Sequence, residues 1–268
     1  MTATTALRDA STVLLLSDSP DGLQVFMVVR HSNMDFASGA LVFPGGSVDN
    51  TDSSDALRAH LPAVSNEWSN RERAWRVAAV REVYEEAGVL LARSPAGPIS
   101  SEQLSSLNRR FEKSRRAGDI DISQVVVEDN LVLACDELHA FAHWITPEIR
   151  PKRFDTRFYL ARVPDDQVAI HDGQESVNSV WGAPGDILAQ ADAGQWKLRF
   201  PTRVTLEKLS TVDSVAAAIT LAQTSNVIPV ISKFTSDAGR RFIEIPEAAG
   251  FGFCKALLDD DGNIIDRW

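Results

Sequence analysis

Arginine and three glutamates crowd into the run Arg81-Glu82-Val83-Tyr84-Glu85-Glu86-Ala87-Gly88. At about 3.6 residues per helical turn, Glu82 and Glu86 stand one above the other with Glu85 beside them, so the three acids share a face. Like charges at that spacing destabilise an isolated helix by about 0.2–0.5 kcal/mol per pair. A divalent cation reverses the sign, and donors that are all oxygen favour a hard ion, Mg²⁺ or Mn²⁺. Arg81, one turn before Glu85, is placed to orient that carboxylate through a bidentate pair. Taken alone, the run also fits a solvated charged helix face. The segments around it decide between the two.

The acids need a helix, and residues 71–88 supply one, with Trp75, Ala78, Ala79 and Val83 at helical spacing for its buried side and Gly88 suited to its end. Upstream, residues 11–17 and 24–30 predict two mostly buried strands joined in a hairpin across the turn residues 18–22. A short strand over residues 40–43 stops at Pro44-Gly45-Gly46, where proline ends the pairing and the glycines permit a bend. Residues 53–73 are polar, broken by Pro62, and read as a surface insertion with a helical piece. Residues 101–116 predict a second helix, capped by Ser100 or Ser101, that carries Arg109, Arg110, Lys113, Arg115 and Arg116. Residues 124–144 are part helix and part strand. Strands follow over 157–163 and up to Trp181, then helices over 184–193 and 201–223, the second broken near 210–213, and short strands at 227–231 and 242–245. No repeat or low-complexity linker interrupts the chain. One domain over residues 1–268 is expected, with the insertion at 53–73, a helical excursion around 95–137 and a C-terminal extension over 210–268.

With 27 basic and 37 acidic residues the formal charge is −10, which argues against nucleic-acid or anionic-membrane surfaces. An acidic protein that handles phosphates is expected to use metal ions. Cys135 and Cys254 lack metal-site spacing and predict free thiols in a reduced, cytoplasmic setting. No run approaches the roughly 18 apolar residues of a membrane span, no leader pattern opens the chain, and the final Ile265-Asp266-Arg267-Trp268 is not a Ser-Lys-Leu address. A soluble, unprocessed protein is expected.

Gly46, five residues, Asp52, a gap, then Arg-Glu-Val-Tyr-Glu-Glu-Ala-Gly-Val over residues 81–89 resembles the Nudix box. Its second half is met at every position. The first half departs twice: Asp52 stands where the family usually has glutamate, and residues 53–80 replace a usual gap of seven. The long insertion, Leu90-Leu91, Trp144-Ile145-Thr146-Pro147 and Arg153-Phe154-Asp155-Thr156 resemble the coenzyme A diphosphatase branch of that family.

The resemblance implies an α+β Nudix fold, a mixed β-sheet sandwiched between α-helices. It also implies a Mg²⁺- or Mn²⁺-dependent hydrolase cleaving coenzyme A or acyl-coenzyme A to 3′,5′-ADP and (acyl-)phosphopantetheine. By that resemblance Glu85 and Glu86 match the metal-binding pair, with Glu82 assisting them or acting as base and Arg81 orienting the acids. The Gly45 carbonyl matches a backbone ligand, and Glu175 a further acidic ligand or base. Arg30, Arg153, Arg109 and Arg110 are candidate substrate contacts, the last two for a 3′-phosphate, although a basic helix face is more often simply solvated. Homodimers are common in the family. Two other functions stay open: hydrolysis of ADP-ribose, NADH or a related nucleoside diphosphate, and non-catalytic nucleotide sensing.

Three further features read more plainly as structure. His139 and His143 have the i, i+4 spacing of zinc ligands on a helix, but Ala140 stands where the accompanying glutamate belongs. Packing or hydrogen bonding is the better expectation for both. Asp155 suits a salt bridge beside a strand as well as a substrate contact. Trp75, Trp144, Trp181 and Trp196 are expected to be packing aromatics.

Overall fold

The computed structural model describes residues 6–30, 39–169 and 176–268. Strands β1 (Leu7–Ser19) and β2 (Gly22–Arg30) form the expected hairpin, with β3 (Leu41–Val42) added to β2 and β4 (Gly45–Ser47) to β1. Three short 3-10 turns, Asn50–Ser53, Asp55–His60 and Ala63–Glu67, lead into α1 (Asn70–Ala87). Then come β5 (Ala92–Ser94), β6 (Gly97–Pro98), α2 (Ser101–Arg110), α3 (Glu112–Ala117), α4 (Ile122–Glu128) and β7 (Val132–Leu133), with β5, β6 and β7 in a small sheet.

The main sheet is completed by β8 (His139–Ile145), β9 (Arg153–Arg162) and β10 (Ser176–Gly182). Helices α5 (Pro184–Asp192), α6 (Phe200–Leu209) and α7 (Val215–Thr224) precede its last strand, β11 (Pro229–Ile231). Along the sheet the order is β10-β2-β1-β9-β8-β11, with β1–β9 and β8–β11 parallel and the other neighbours antiparallel. The chain closes in a four-stranded meander, β12 (Lys233–Asp237), β13 (Arg240–Glu244), β14 (Lys255–Leu258) and β15 (Ile264–Arg267).

This is the expected mixed sheet between helices, and the side-chain alternation of its strands divides the core in two. Val13, Leu15, Phe26, Val28 and Tyr159 face α1, whereas Leu14, Leu16, Val25, Met27 and Leu160 face α5–α7 and the inner side of the meander. Both faces being covered explains the continuous apolar runs in β1 and β2.

Helix α1 is set by its ends. The Ser69 hydroxyl accepts the Glu72 amide (3.1 Å), and Gly88 adopts the left-handed conformation (φ 68°) that stops the helix. Between them burial extends well past one stripe: Trp75, residues 77–81 and residues 83–87 are all buried. The sheet covers one side of α1, and the turns of residues 50–67 with the α2–α4 excursion cover much of the rest. The excess of small residues, Ala74, Ala78, Ala79 and Ala87, permits that enclosure.

Three expectations are corrected. Residues 101–116 form two helices separated at Phe111, each too short to continue through the bend, with Ser100 and Gln103 making a reciprocal cap at the first. His139 and His143 lie on strand β8 and not on a helix, and His143 makes the kind of hydrogen bond expected of it, to Asp155. Residues 53–73 do not stay at the surface: Leu57 and Ser65 are buried, and residues 70–73 are the first turn of α1. Only β13 was anticipated among the four meander strands: β12 is exposed along its whole length and β15 nearly so, and β14 alternates over only four residues.

Candidate active site

Strand β4 passes close against both β1 and α1. Gly45 has φ 155°, and a Cβ there would lie 2.3 Å from the Ser11 carbonyl oxygen. A Cβ on Gly46 would lie 2.5 Å from Glu82 Oε1, so any side chain there would displace the Glu82 carboxylate from its bond to Arg81. The Gly45 amide donates to Glu86 Oε2 (3.1 Å), and the Ser47 carbonyl accepts from Arg81 Nη2 (2.8 Å). Ser11 Oγ donates to the Trp75 carbonyl (2.6 Å), fixing α1 further along β1.

Arg81, only 2% exposed, is the hub. Its bidentate partner is Asp52, through Nε (2.9 Å) and Nη2 (3.0 Å), and not the anticipated Glu85. The reason is geometric. Glu85 lies one turn along the same helix and meets only Nη1 (2.8 Å), which it shares with Glu82 (2.8 Å), whereas Asp52 arrives from outside the helix and meets the guanidinium edge squarely. The Asp49 amide donates to Asp52 Oδ2 (2.8 Å). The shorter side chain at position 52 therefore reaches Arg81, and the two halves of the motif close across the intervening 3-10 turns.

Burial controls the acids. It pushes Glu82 up to about 8, with Arg81 pulling the other way and the neighbouring Glu85 adding to the rise. It also raises Glu85 and Asp52, against the opposing field of Arg81. Arg81 is held charged: burial opposes its charge, and the bond to Asp52 with the fields of Glu82, Asp52 and Glu85 outweighs that cost.

Among the described residues no three acidic, histidine or cysteine side chains converge as a closed ligand shell. Arg81 and the Ile120 amide hold the two oxygens of Glu85, Oε2 at 2.8 Å and Oε1 at 2.9 Å, while the Gly45 amide engages Glu86. The donor chemistry nevertheless fits a hard divalent cation. All donors are oxygen, and three acids, Asp52, Glu82 and Glu85, share the single guanidinium of Arg81.

The remaining candidates lie apart from this cluster or outside the described residues. Glu175 and the Arg30 side chain are outside them. Arg153 Nε donates to the Thr146 carbonyl (3.2 Å). Asp155 is buried and bonds His143 (2.5 Å) and the half-exposed Arg71 (2.8 Å). Arg110 pairs with Asp129 and Glu128, Arg116 pairs with Glu112, and Arg109 is exposed. Arg115 turns inward to the Tyr84 and Glu85 carbonyls (3.1 and 3.3 Å). Sequence reasoning missed the Ser47 carbonyl, the Ile120 amide and the inward role of Arg115. Backbone groups carry no sequence signal, and a basic run does not say which of its members points inward.

Residues 64–204 match the family described as the NUDT19 Nudix domain. A Caenorhabditis elegans protein named nudix hydrolase 7 is 28% identical over 209 residues, 78% of this chain and 62% of that protein. The acyl-coenzyme A diphosphatase NUDT19 of Gallus gallus is 24% identical, over 95% of this chain and 79% of its own length. The human protein of that name is 26% identical over 62% of this chain and 55% of its own. Matches to the worm and human proteins thus span less than two thirds of those relatives. The crystal structure of a NUDIX hydrolase from Alicyclobacillus acidocaldarius superposes with a TM-score of 0.67 at 27% identity, over 81% of this chain and 97% of that one.

Proposed function

Because the chain belongs to the NUDT19 Nudix domain family, we propose that it is a metal-dependent hydrolase of a phosphoric anhydride bond, with coenzyme A or acyl-coenzyme A as substrate. The observation that carries this reading is the buried acid cluster around Arg81, with three carboxylates bonded to one guanidinium and Glu86 beside them. Support for the coenzyme A class comes from the relatives named acyl-coenzyme A diphosphatase.

Glu82, Glu85, Glu86 and the Gly45 carbonyl would hold Mg²⁺ or Mn²⁺, which supplies charge compensation for the diphosphate and a nucleophile at neutral pH. The protein's own groups do the rest. Glu82 has one carboxylate oxygen tied to Arg81 and a proton affinity raised into the neutral range, which suits a general base accepting the proton of the attacking water. Arg81 fixes the carboxylate planes of Glu82 and Glu85. The absence of a side chain at Gly46 lets the β4 backbone lie directly against the Glu82 carboxylate. The predicted products are 3′,5′-ADP and (acyl-)phosphopantetheine.

The test is to incubate the purified protein with Mg²⁺ or Mn²⁺ and a panel of coenzyme A, acyl-coenzyme A, ADP-ribose, NADH and diadenosine polyphosphates, identifying products by mass. Coenzyme A-type cleavage supports the proposal. Preferential cleavage of ADP-ribose or NADH would replace the substrate class, and binding without cleavage would make the protein a sensor.

A further inference from the structure

The excursion between β5 and β8 reaches back to one residue of the site. Helix α3 stops at Gly118 in the left-handed conformation (φ 63°), the Asp119 amide closes the turn on the Ser114 carbonyl (3.1 Å), and the chain then enters the core at Ile120. At that corner the Ile120 amide donates to Glu85 Oε1 (2.9 Å). From α3, Arg115 Nη1 donates to the carbonyls of Tyr84 and Glu85, and its guanidinium lies 5.7 Å from the Tyr84 ring centroid. Those carbonyls belong to the last turn of α1, where helical partners run out and the dipole favours a cation. A Cβ on Gly88 would lie 3.1 Å from Arg115 Nη1, so the approach is close.

Glu85 is thereby gripped from two sides. Arg81 holds Oε2 from within the site, the Ile120 amide holds Oε1 from the excursion, and Arg115 holds its main chain. We propose that Arg115 and the Ile120 amide are positioning groups for Glu85, which makes the α3–α4 corner a working part of the cation site. This inference rests on the proposed metal-dependent function. It also reassigns one member of the basic cluster: Arg115 acts through Glu85, and a substrate phosphate is not its partner. A carboxylate with both oxygens bonded cannot rotate freely, and partners that orient a ligand carry a substantial share of the affinity.

Ile120→Pro removes the N–H, and Ile120→Val keeps it while making a similar loss of side-chain bulk. Mn²⁺ affinity is read without substrate, from the free-ion signal in electron paramagnetic resonance. Ile120→Pro is expected to bind Mn²⁺ roughly 10–100-fold more weakly than Ile120→Val, with kcat lowered and KM little changed. Arg115→Gln should move the same way, and Arg115→Lys should recover part of the loss. A folded Ile120→Pro protein that matches Ile120→Val in Mn²⁺ affinity and kcat overturns the proposal. Should Ile120→Pro fail to fold, the Arg115→Gln and Arg115→Lys pair decides on the same readouts. If the wild-type protein itself binds no Mn²⁺, the cation reading fails separately. Crystal structures of the two Ile120 variants then decide the clamp, a displaced Glu85 side chain in Ile120→Pro supporting it and an unmoved one overturning it.

Discussion

The two ends of helix α1 carry the same device with different charge balance. Near its start, Arg71 is bidentate to Asp9 (2.9 and 2.6 Å) and bonds Asp155 (2.8 Å), which in turn meets His143. Near its end, Arg81 is bidentate to Asp52 and bonds Glu82 and Glu85. In both, an arginine of the helix seizes an aspartate from an earlier segment and ties a second element to it. Arg71 is half exposed and, like Arg157, lies over the Trp75 ring (4.3 and 4.5 Å), so its two acids have solvent and a second guanidinium nearby. Arg81 is buried and faces three acids. The first network is a balanced brace. The second holds surplus negative charge out of water, a costly arrangement unless a cation completes it.

Arg81→Met tests that contrast most severely. Loss of the buried hub strands Asp52, Glu82 and Glu85, and a destabilisation of about 3–5 kcal/mol is expected in chemical denaturation, together with loss of hydrolysis. Glu85→Gln or Glu86→Gln should lower kcat by roughly 100-fold or more while leaving the fold intact by circular dichroism. Retained turnover in both folded variants would remove the cation role from this end of the helix.

The titration of Glu82 gives a third handle. Its folded-state value near 8 lies above the ordinary 4.5, so the folded protein keeps a proton that the unfolded chain releases. That contribution to stability is complete below about 4.5 and is lost as pH rises through about 8. Metal-free protein should therefore show a falling Tm across that window, and Mg²⁺ should raise Tm more at pH 8 than at pH 5.5. A Tm that is flat or rising in metal-free protein would argue that Glu82 is not held as described. The smallest effect is expected at the other end: Arg71→Ala should cost about 1 kcal/mol, since the pair with Asp9 is partly solvated, and should leave kcat unchanged.

Much of this was legible in the chain. The acids of α1 declared themselves through spacing and type, and Gly88 and the hairpin strands through turn chemistry and apolar runs. The pairing of Arg81 with Asp52 was not legible. Spacing along a helix points Arg81 at Glu85, and only the path of the 3-10 turns brings Asp52 to the guanidinium edge. The same limit applies to the Ile120 amide, a backbone group delivered by a corner. It applies also to the C-terminal meander, whose strand β12 is exposed throughout and lacks the alternation that marks a half-buried strand. His143 hydrogen-bonds Asp155, as the missing glutamate beside the histidine pair suggested, and its place on strand β8 removes the helical meaning of i, i+4 spacing.

The central claim is that the Arg81 end of α1 holds a divalent cation and the Arg71 end does not. Titration of Mn²⁺ into wild-type, Glu85→Gln and Arg71→Ala proteins, followed by calorimetry without substrate, tests it directly. Saturable binding in wild-type and Arg71→Ala proteins, lost or much weakened in Glu85→Gln, is the predicted result. Equal binding in all three, or none in the wild type, would contradict it.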